Sequence, residues 1–207
     1  MDAQSKVVVT GFGPFGGISV NSSTTAVLNL QAKWEEIVSH TKFFPELVVL
    51  PNVEVSYKAV DKIVSHIWDD LKPDLVVHVG VSAFSSTISL ESQSGSGPYM
   101  MADDGCLPCQ LFCDRQISTK LSLDEPCALL RSRGFKCDIS TDPGCFLCSY
   151  IYRCSLEKNP YRTLFVHVPT ISSAVTADYL GDFLFLLIVI LCKSCDVPIS
   201  SSLVAYL

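Results

Sequence analysis

The chain has 207 residues, of which 48% are hydrophobic and 17% charged, so it can bury a sizeable core and is not intrinsically disordered. Its 15 lysines and arginines are outnumbered by 21 aspartates and glutamates. This acidic balance, without any basic run, argues against binding to nucleic acid or to an anionic membrane. Ten cysteines would suit a secreted disulfide scaffold, but residues 1–6 carry no signal peptide. We therefore expect reduced thiols and a cytoplasmic protein.

Hydrophobic patterns in the first half of the chain alternate between strands and helices. Short β-branched runs bounded by glycine or proline predict strands, whereas apolar positions three and four residues apart predict helices. The predicted elements are a strand at 6–10, a helix at 21–39, a strand at 47–50 that ends at Pro51, a helix at 60–71, and strands at 75–81 and 85–91.

The second half of the chain continues this alternation after a loop at 92–115. The predicted elements are a helix at 123–133, a strand at 137–140, a helix from about 144, a strand at 164–168 and a last helix from about 174. Strands that alternate with helices through short turns are typical of α/β proteins. We therefore predict an α/β/α sandwich of three layers, with a mostly parallel, doubly wound sheet, in a single domain of residues 1–207.

An uninterrupted apolar run, FLFLLIVILC, occupies residues 183–192. A membrane-spanning helix needs about 20 apolar residues, so this shorter run favours a buried helix. A helix that is apolar on every side and rests on a sheet would nevertheless expose large side chains to water. We therefore expect the segment from about residue 183 to offer a surface for self-association or for a partner.

A glycine-rich turn follows the first predicted strand, where Gly11, Gly13 and Gly16 fit the GxGxxG pattern of dinucleotide-binding proteins. Two phenylalanines crowd this turn, however, and no acidic residue follows the second strand to hold a ribose. The pattern instead favours a rigid loop that presents Phe12 and Phe15 as apolar walls of a pocket. We expect no cofactor.

Two groups of cysteines resemble halves of a zinc site. Cys106, Cys109 and Cys113 lie in the long loop, and Cys192 and Cys195 follow the apolar run. Tetrahedral zinc needs four ligands that converge, and nothing in the sequence brings these two groups together. We therefore expect thiols rather than a metal site.

The four histidines differ in their predicted environments. His40 and His66 fall in helices or at their ends, which is typical of solvated side chains, and His78 lies inside a buried strand. His167 lies at the carboxyl end of a strand, the edge of an open α/β sheet where ligands bind. His167 is therefore the candidate for chemistry.

Two cysteines are candidate nucleophiles for His167. A thiolate is favoured at a helix N-terminus beside a histidine, and both Cys145 and Cys148 lie where a Pro-Gly turn leads into a helix. A carboxylate must orient the imidazole, and either Glu91 or Asp142 could do so. The residues alone therefore indicate a cysteine hydrolase without choosing between these alternatives.

Several short motifs resemble those of the pyroglutamyl peptidase I family, in particular its vertebrate I-like branch. They keep the family's order from residue 6 to about 181. The matching stretches are 10–16 (TGFGPFG), 20–23 (VNSS), 76–82 (VVHVGVS), 90–91 (LE), 144–148 (GCFLC) and 165–169 (FVHVP).

This resemblance implies an α/β/α cysteine peptidase that removes pyroglutamate from the N-terminus of peptides. It assigns the nucleophile to Cys148, the histidine to His167 and the acid to Glu91. The residues that it implies around the lactam ring are Phe12, Phe15, Phe146 and Leu147.

The chain also departs from the family pattern. Cys145 stands where relatives often carry arginine, Met100 and Met101 stand where they have lysine and glycine, and the apolar run replaces a charged amphipathic helix. These departures keep open an alternative, a weak or inactive paralogue that binds peptides or a partner.

Overall fold

The computed structural model describes residues 4–38, 44–99, 101–103, 115–200 and 203. The strands in these ranges are β1 (Lys6–Phe12), β2 (Glu46–Val53), β3 (Leu75–Ser82), β4 (Ile88–Glu91), β5 (Cys137–Ser140) and β6 (Thr163–Pro169). The helices are α1 (Ser22–Val38), α2 (Tyr57–Ser65), which continues in π-helical form through His66–Leu71, α3 (Asp124–Ser132), α4 (Leu147–Lys158) and α5 (Ala177–Ser194).

The strands of the described residues form one mixed sheet in the order β2-β1-β3-β6-β4-β5. β2, β1, β3 and β6 are parallel to one another, whereas β4 pairs antiparallel with β6 and parallel with β5. The predicted α/β fold with a mostly parallel sheet is therefore confirmed. The reversal at β4 was not predicted.

Alternate residues of each strand face different helical layers, as the two-residue period of a strand requires. Val77 and Val79 of β3 pack with α1, α3 and α5. Val76 and His78, which alternate with them along the strand, face α2 and α4. Phe165 of β6 also packs against the layer that α2 and α4 form. Side chains of the even-numbered positions of β3 and the odd-numbered positions of β6 therefore meet helix α4.

Two element boundaries differ from prediction for identifiable reasons. β2 continues through Pro51 to Val53, because β2 is an edge strand and a proline there removes no interior ladder bond. Helix α4 begins at Leu147 rather than near 144, because Gly144 has a φ of +79°, which lies outside helical backbone geometry.

Helix α5 buries its apolar run completely, so the prediction of an exposed apolar surface was wrong. Every residue from Phe183 to Cys192 is at most 7% exposed. The helix packs between α1 and α3 on one face of the sheet, and Val197 and Leu203, which follow it, join the same core. Because neighbours lie on all sides of the helix, an all-round apolar sequence suits it, and the run offers no surface for self-association.

Helices with enough length and apolarity to cross a bilayer do not occur among the described residues. No disulfide bond joins any of the seven cysteines in those ranges. Cys106, Cys109, Cys113 and His40 lie outside the described residues.

Candidate active site

A cleft of about 700 Å³ opens at the carboxyl ends of β1 and β3, beside the start of α4. Its lining contains all the site residues predicted from the sequence. These residues belong to four different strands and helices and to two loops. These residues are Phe12, Phe15, Glu91, Phe146, Leu147, Cys148 and His167.

Cys148 is the second residue of helix α4, and Phe146 occupies the N-cap position. The first backbone N–H groups of a helix have no partner within the helix and carry a partial positive charge. This position therefore leaves N–H donors of the first turn close to the sulfur.

Gly80 of β3 makes the room that Cys148 occupies. A Cβ atom added at Gly80 would lie 2.8 Å from Cys148 Sγ and 2.7 Å from Phe165 Cζ, closer than real Cβ atoms approach other atoms. Gly80 is also the register partner of His167 on β6. The missing side chain thus lets the sulfur lie against the sheet next to the imidazole.

His167 lies between Cys148 and Glu91. Its Nδ1 is 2.7 Å from Glu91 Oε1, and the Cys148 side chain lies close enough to the ring to raise the pKa of the imidazole. Because β4 is antiparallel to β6, Glu91 stands opposite Phe165 and points to the same face of the sheet as His167. The Tyr152 hydroxyl donates to the Glu91 carbonyl at 2.7 Å, which ties this strand end to α4.

The surroundings of His167 favour its charged form. Burial by itself lowers the pKa of this imidazole, but the hydrogen bonds and charges of Cys148 and Glu91 outweigh burial and raise the pKa to about 9. The side chain of Glu91 is 1% exposed, so little water screens its charge. At neutral pH the imidazole is therefore protonated.

Aromatic side chains form the inner walls of the cleft. Phe12 is 3% exposed, and its N–H donates to Ser23 Oγ at 3.0 Å, which fixes the end of β1 against α1. The ring of Phe146 packs edge-on against Tyr57, with ring centroids 6.2 Å apart. Phe15 stands at the start of a tight turn in which it exchanges backbone hydrogen bonds with Ile18.

The alternatives that the residues alone left open have different surroundings. Cys145 lines the cleft but is exposed, and the cysteine that acts on the pKa of His167 is Cys148. Asp142 is exposed and accepts a hydrogen bond from the N–H of Gly144 at 3.1 Å. The carboxylate beside His167 is that of Glu91.

The remaining described histidines lie away from the cleft, as predicted. His78 is buried between Thr10 and Ser155, with hydrogen bonds of 2.8 Å and 2.7 Å, and burial lowers its pKa to about 3. His66 is exposed and pairs with Asp70 at 2.8 Å.

The glycine-rich turn and the cysteines that follow the apolar run, Cys192 and Cys195, are arranged for packing. The N–H of Gly13 donates to the Val53 carbonyl at 2.9 Å, so it faces β2 rather than a phosphate. Cys192 and Cys195 are buried in the core, and burial raises the pKa of Cys192 to about 12. Within the described ranges no three or more His, Cys, Asp or Glu side chains cluster as metal ligands would.

Sequence reasoning missed two residues that shape the site, Gly80 and Phe165. The Phe165 ring lies 4.8 Å from the His167 ring, centroid to centroid, and holds it from one side. A glycine inside an otherwise β-branched strand is the signal that indicates close approach of another group. Phe165 carried no comparable signal, because an aromatic residue in a buried strand is ordinary.

The fold and the site together define a class of protein. It is an α/β protein in which a histidine lies between a cysteine and a carboxylate, as in cysteine hydrolases. Comparison with known proteins gives a more particular result. The family model described as pyroglutamyl peptidase matches residues 5–94. Pyroglutamyl-peptidase 1 of Homo sapiens is 33% identical over 184 residues, which cover 84% of each chain. The chain belongs to the pyroglutamyl peptidase family.

Other relatives extend this result. The pyroglutamyl-peptidase 1-like protein of Homo sapiens is 30% identical over 135 residues, covering 61% of this chain and 67% of that protein. A crystal structure of a mutant pyrrolidone carboxyl peptidase from P. furiosus has a TM-score of 0.74 at 20% identity, covering 91% of this chain and 98% of that one. The family predicted from the motifs is thus confirmed, and the fold is shared with that structure.

Proposed function

We propose that this chain is a cysteine peptidase that removes pyroglutamate from the N-terminus of peptides, with Cys148, His167 and Glu91 as its catalytic residues. The observation that carries the proposal is the position of His167, which hydrogen-bonds to Glu91 at 2.7 Å and lies close enough to the Cys148 side chain for that cysteine to raise its pKa. Membership of the family supports the same substrate class.

The walls of the cleft suit a pyroglutamyl residue. Its lactam ring is flat and carries no charged amine, so it can enter a pocket made largely of phenylalanine. No lysine or arginine of the described chain lines this cleft. An ordinary N-terminal ammonium group would lose its hydration against these phenylalanine walls.

The first chemical step forms a thioester. Cys148 thiolate, paired with protonated His167, attacks the carbonyl carbon of the peptide bond that follows pyroglutamate. The N–H groups at the start of α4 stabilise the oxyanion. The carbon–nitrogen bond then breaks, and His167 gives its proton to the departing amine. The negative charge of Glu91 keeps the imidazole oriented throughout.

The second step restores the enzyme. Neutral His167 takes a proton from water, the resulting hydroxide attacks the thioester carbon, and the carbon–sulfur bond breaks. Pyroglutamate leaves, and Cys148 returns as the thiolate beside a protonated imidazole. Because this chemistry needs reduced sulfur, and no disulfide joins the described cysteines, the proposal places the protein in a reducing compartment such as the cytoplasm.

The test is hydrolysis of pyroglutamyl-aminomethylcoumarin by the purified, reduced protein. Cys148→Ala removes the nucleophile, and we expect it to abolish turnover, a loss of at least about 10³-fold. Cys154→Ser is the matched control, because Cys154 lies on the same helix outside the cleft. Circular dichroism would verify that both variants fold. Activity retained in Cys148→Ala, or none in the folded wild-type protein, would contradict the proposal.

A further inference from the structure

The mouth of the cleft is surrounded by exposed apolar side chains. Seven large apolar residues of the described chain are exposed, and four of them line this one cleft: Ile18, Val20, Phe84 and Met101, with exposed fractions of 42%, 66%, 103% and 52%. The other three, Leu28, Ile139 and Tyr161, lie outside it. Exposed apolar side chains gathered in one place indicate a binding surface more than scattered ones do.

Hydrogen bonds to the backbone hold two of these four residues, Ile18 and Met101, in position. Ile18 faces Phe15 across a turn in which Gly16 and Gly17 have φ of +55° and +82°, and the two residues exchange bonds of 2.8 Å and 3.3 Å. The φ signs are those of a two-residue hairpin turn. On another side of the mouth, the Met101 carbonyl accepts a hydrogen bond of 2.9 Å from the Tyr57 hydroxyl. Two of the four residues of the apolar rim therefore lie in loops that hydrogen bonds anchor.

The charges of the cleft do not favour an acidic occupant. Asp142 is the exposed charged side chain of the lining, and no lysine or arginine in the described ranges joins it there. An acidic side chain at the mouth would therefore meet like charge and an apolar surface. A large apolar side chain would instead remove apolar area from water on both partners.

We infer that this apolar rim, formed by Ile18, Val20, Phe84 and Met101, is a subsite for a large apolar residue immediately after pyroglutamate. The inference rests on the proposed function. If the lactam fills the phenylalanine-walled interior and its carbonyl meets Cys148, the leaving residue must lie toward the mouth. The rim is continuous with that interior, because one cleft contains both.

The test compares peptide amides that differ only in the residue after pyroglutamate: leucine, phenylalanine, serine or glutamate. We expect kcat/KM for leucine and phenylalanine to exceed that for serine by about tenfold, with glutamate lowest. Phe84→Ser combined with Val20→Ser should reduce the leucine-to-serine ratio by about threefold or more. Leu28→Ser is the matched control, since Leu28 is exposed but outside the cleft, and it should leave the ratio unchanged.

Binding separates this inference from the proposed function. Titration calorimetry with the Cys148→Ala variant measures the affinity of the same peptides without hydrolysis, and we expect the same order of affinities. Equal affinities for the leucine and serine peptides, or an order that survives the Phe84 and Val20 changes, would overturn the subsite. If the wild-type protein does not hydrolyse these peptides but the order of affinities is as expected, the result contradicts the peptidase activity and supports the subsite.

Discussion

His167 is held between two groups that both favour its protonated form. The pKa of this side chain rises from an ordinary value of 6.5 to about 9 although burial alone would lower it, because the effects of the neighbouring Cys148 and Glu91 side chains on the ring outweigh burial. The folded protein therefore binds a proton more tightly than the unfolded chain does. The resulting stabilisation is complete below pH 6.5 and is lost as the pH rises through about 9.

The same proton sets the expected pH dependence of catalysis. Because protonated His167 donates to the leaving amine, we expect kcat/KM to fall above about pH 9. Glu91→Gln removes one of the charges that raise the pKa of His167, so the fall should begin at lower pH. A pH–rate profile with the coumarin substrate measures this. Asp142→Asn, which removes the cleft carboxylate that does not contact His167, should leave the fall in place; an unmoved profile in Glu91→Gln would contradict the argument.

At the scale of elements, α5 shows how position overrides the amphipathic pattern expected of a helix on a sheet. A helix with water on one side needs a polar face, whereas α5 has α1 and α3 beside it and the sheet beneath it. The Trp34 and Phe185 rings meet edge-on, with centroids 5.8 Å apart, where α1 and α5 contact. A Cβ added at Gly181 would lie 2.8 Å from Asn29 Oδ1, so α1 and α5 approach closely.

Truncation of a side chain in α5 should therefore destabilise the whole protein. Leu187 is fully buried, and Leu187→Ala should lower the free energy of unfolding by about 2–5 kcal/mol through lost burial and a cavity. Leu28→Ala, at a position 45% exposed, should change it by no more than about 0.5 kcal/mol. Urea denaturation measures both. Equal, small effects would mean that α5 is not buried.

At the scale of the molecule, a buried hydrogen-bond network joins the sheet to the α2 and α4 layer. Thr10 of β1 hydrogen-bonds to His78 Nδ1 of β3, and His78 Nε2 hydrogen-bonds to Ser155 Oγ of α4. Trp68 donates to the same Ser155 oxygen at 2.9 Å. Burial lowers the pKa of His78 to about 3. The unfolded chain therefore binds a proton at His78 between about pH 3 and pH 6.5 that the folded protein does not bind.

This network makes stability sensitive to acid. The free energy of unfolding should fall as the pH drops below 6.5, with His78 contributing a slope of up to about 1.4 kcal/mol per pH unit. His78→Gln should reduce that slope, although it also destabilises the protein at neutral pH. Urea denaturation between about pH 5 and pH 7 tests this, and equal slopes in His78→Gln and the wild type would contradict it.

The sequence by itself determined the order of strands and helices, the α/β class and the family, because hydrophobic period and motif order are local properties of the chain. It also singled out His167 at the carboxyl end of a strand and two cysteines at the start of a helix. The spacing of residues left Cys145 and Cys148, and Glu91 and Asp142, as alternatives, and a resemblance to relatives was needed to prefer one of each.

Only the tertiary structure decided which groups touch. The contact between His167 and Glu91 joins residues 76 positions apart, and it depends on β4 running antiparallel to β6, which no local pattern encodes. Tertiary packing also decided that the apolar run of α5 is buried and that the gap at Gly80 admits the Cys148 sulfur. Strand register and helix packing are long-range outcomes of burial, so their consequences for the site follow only once the layers are assembled.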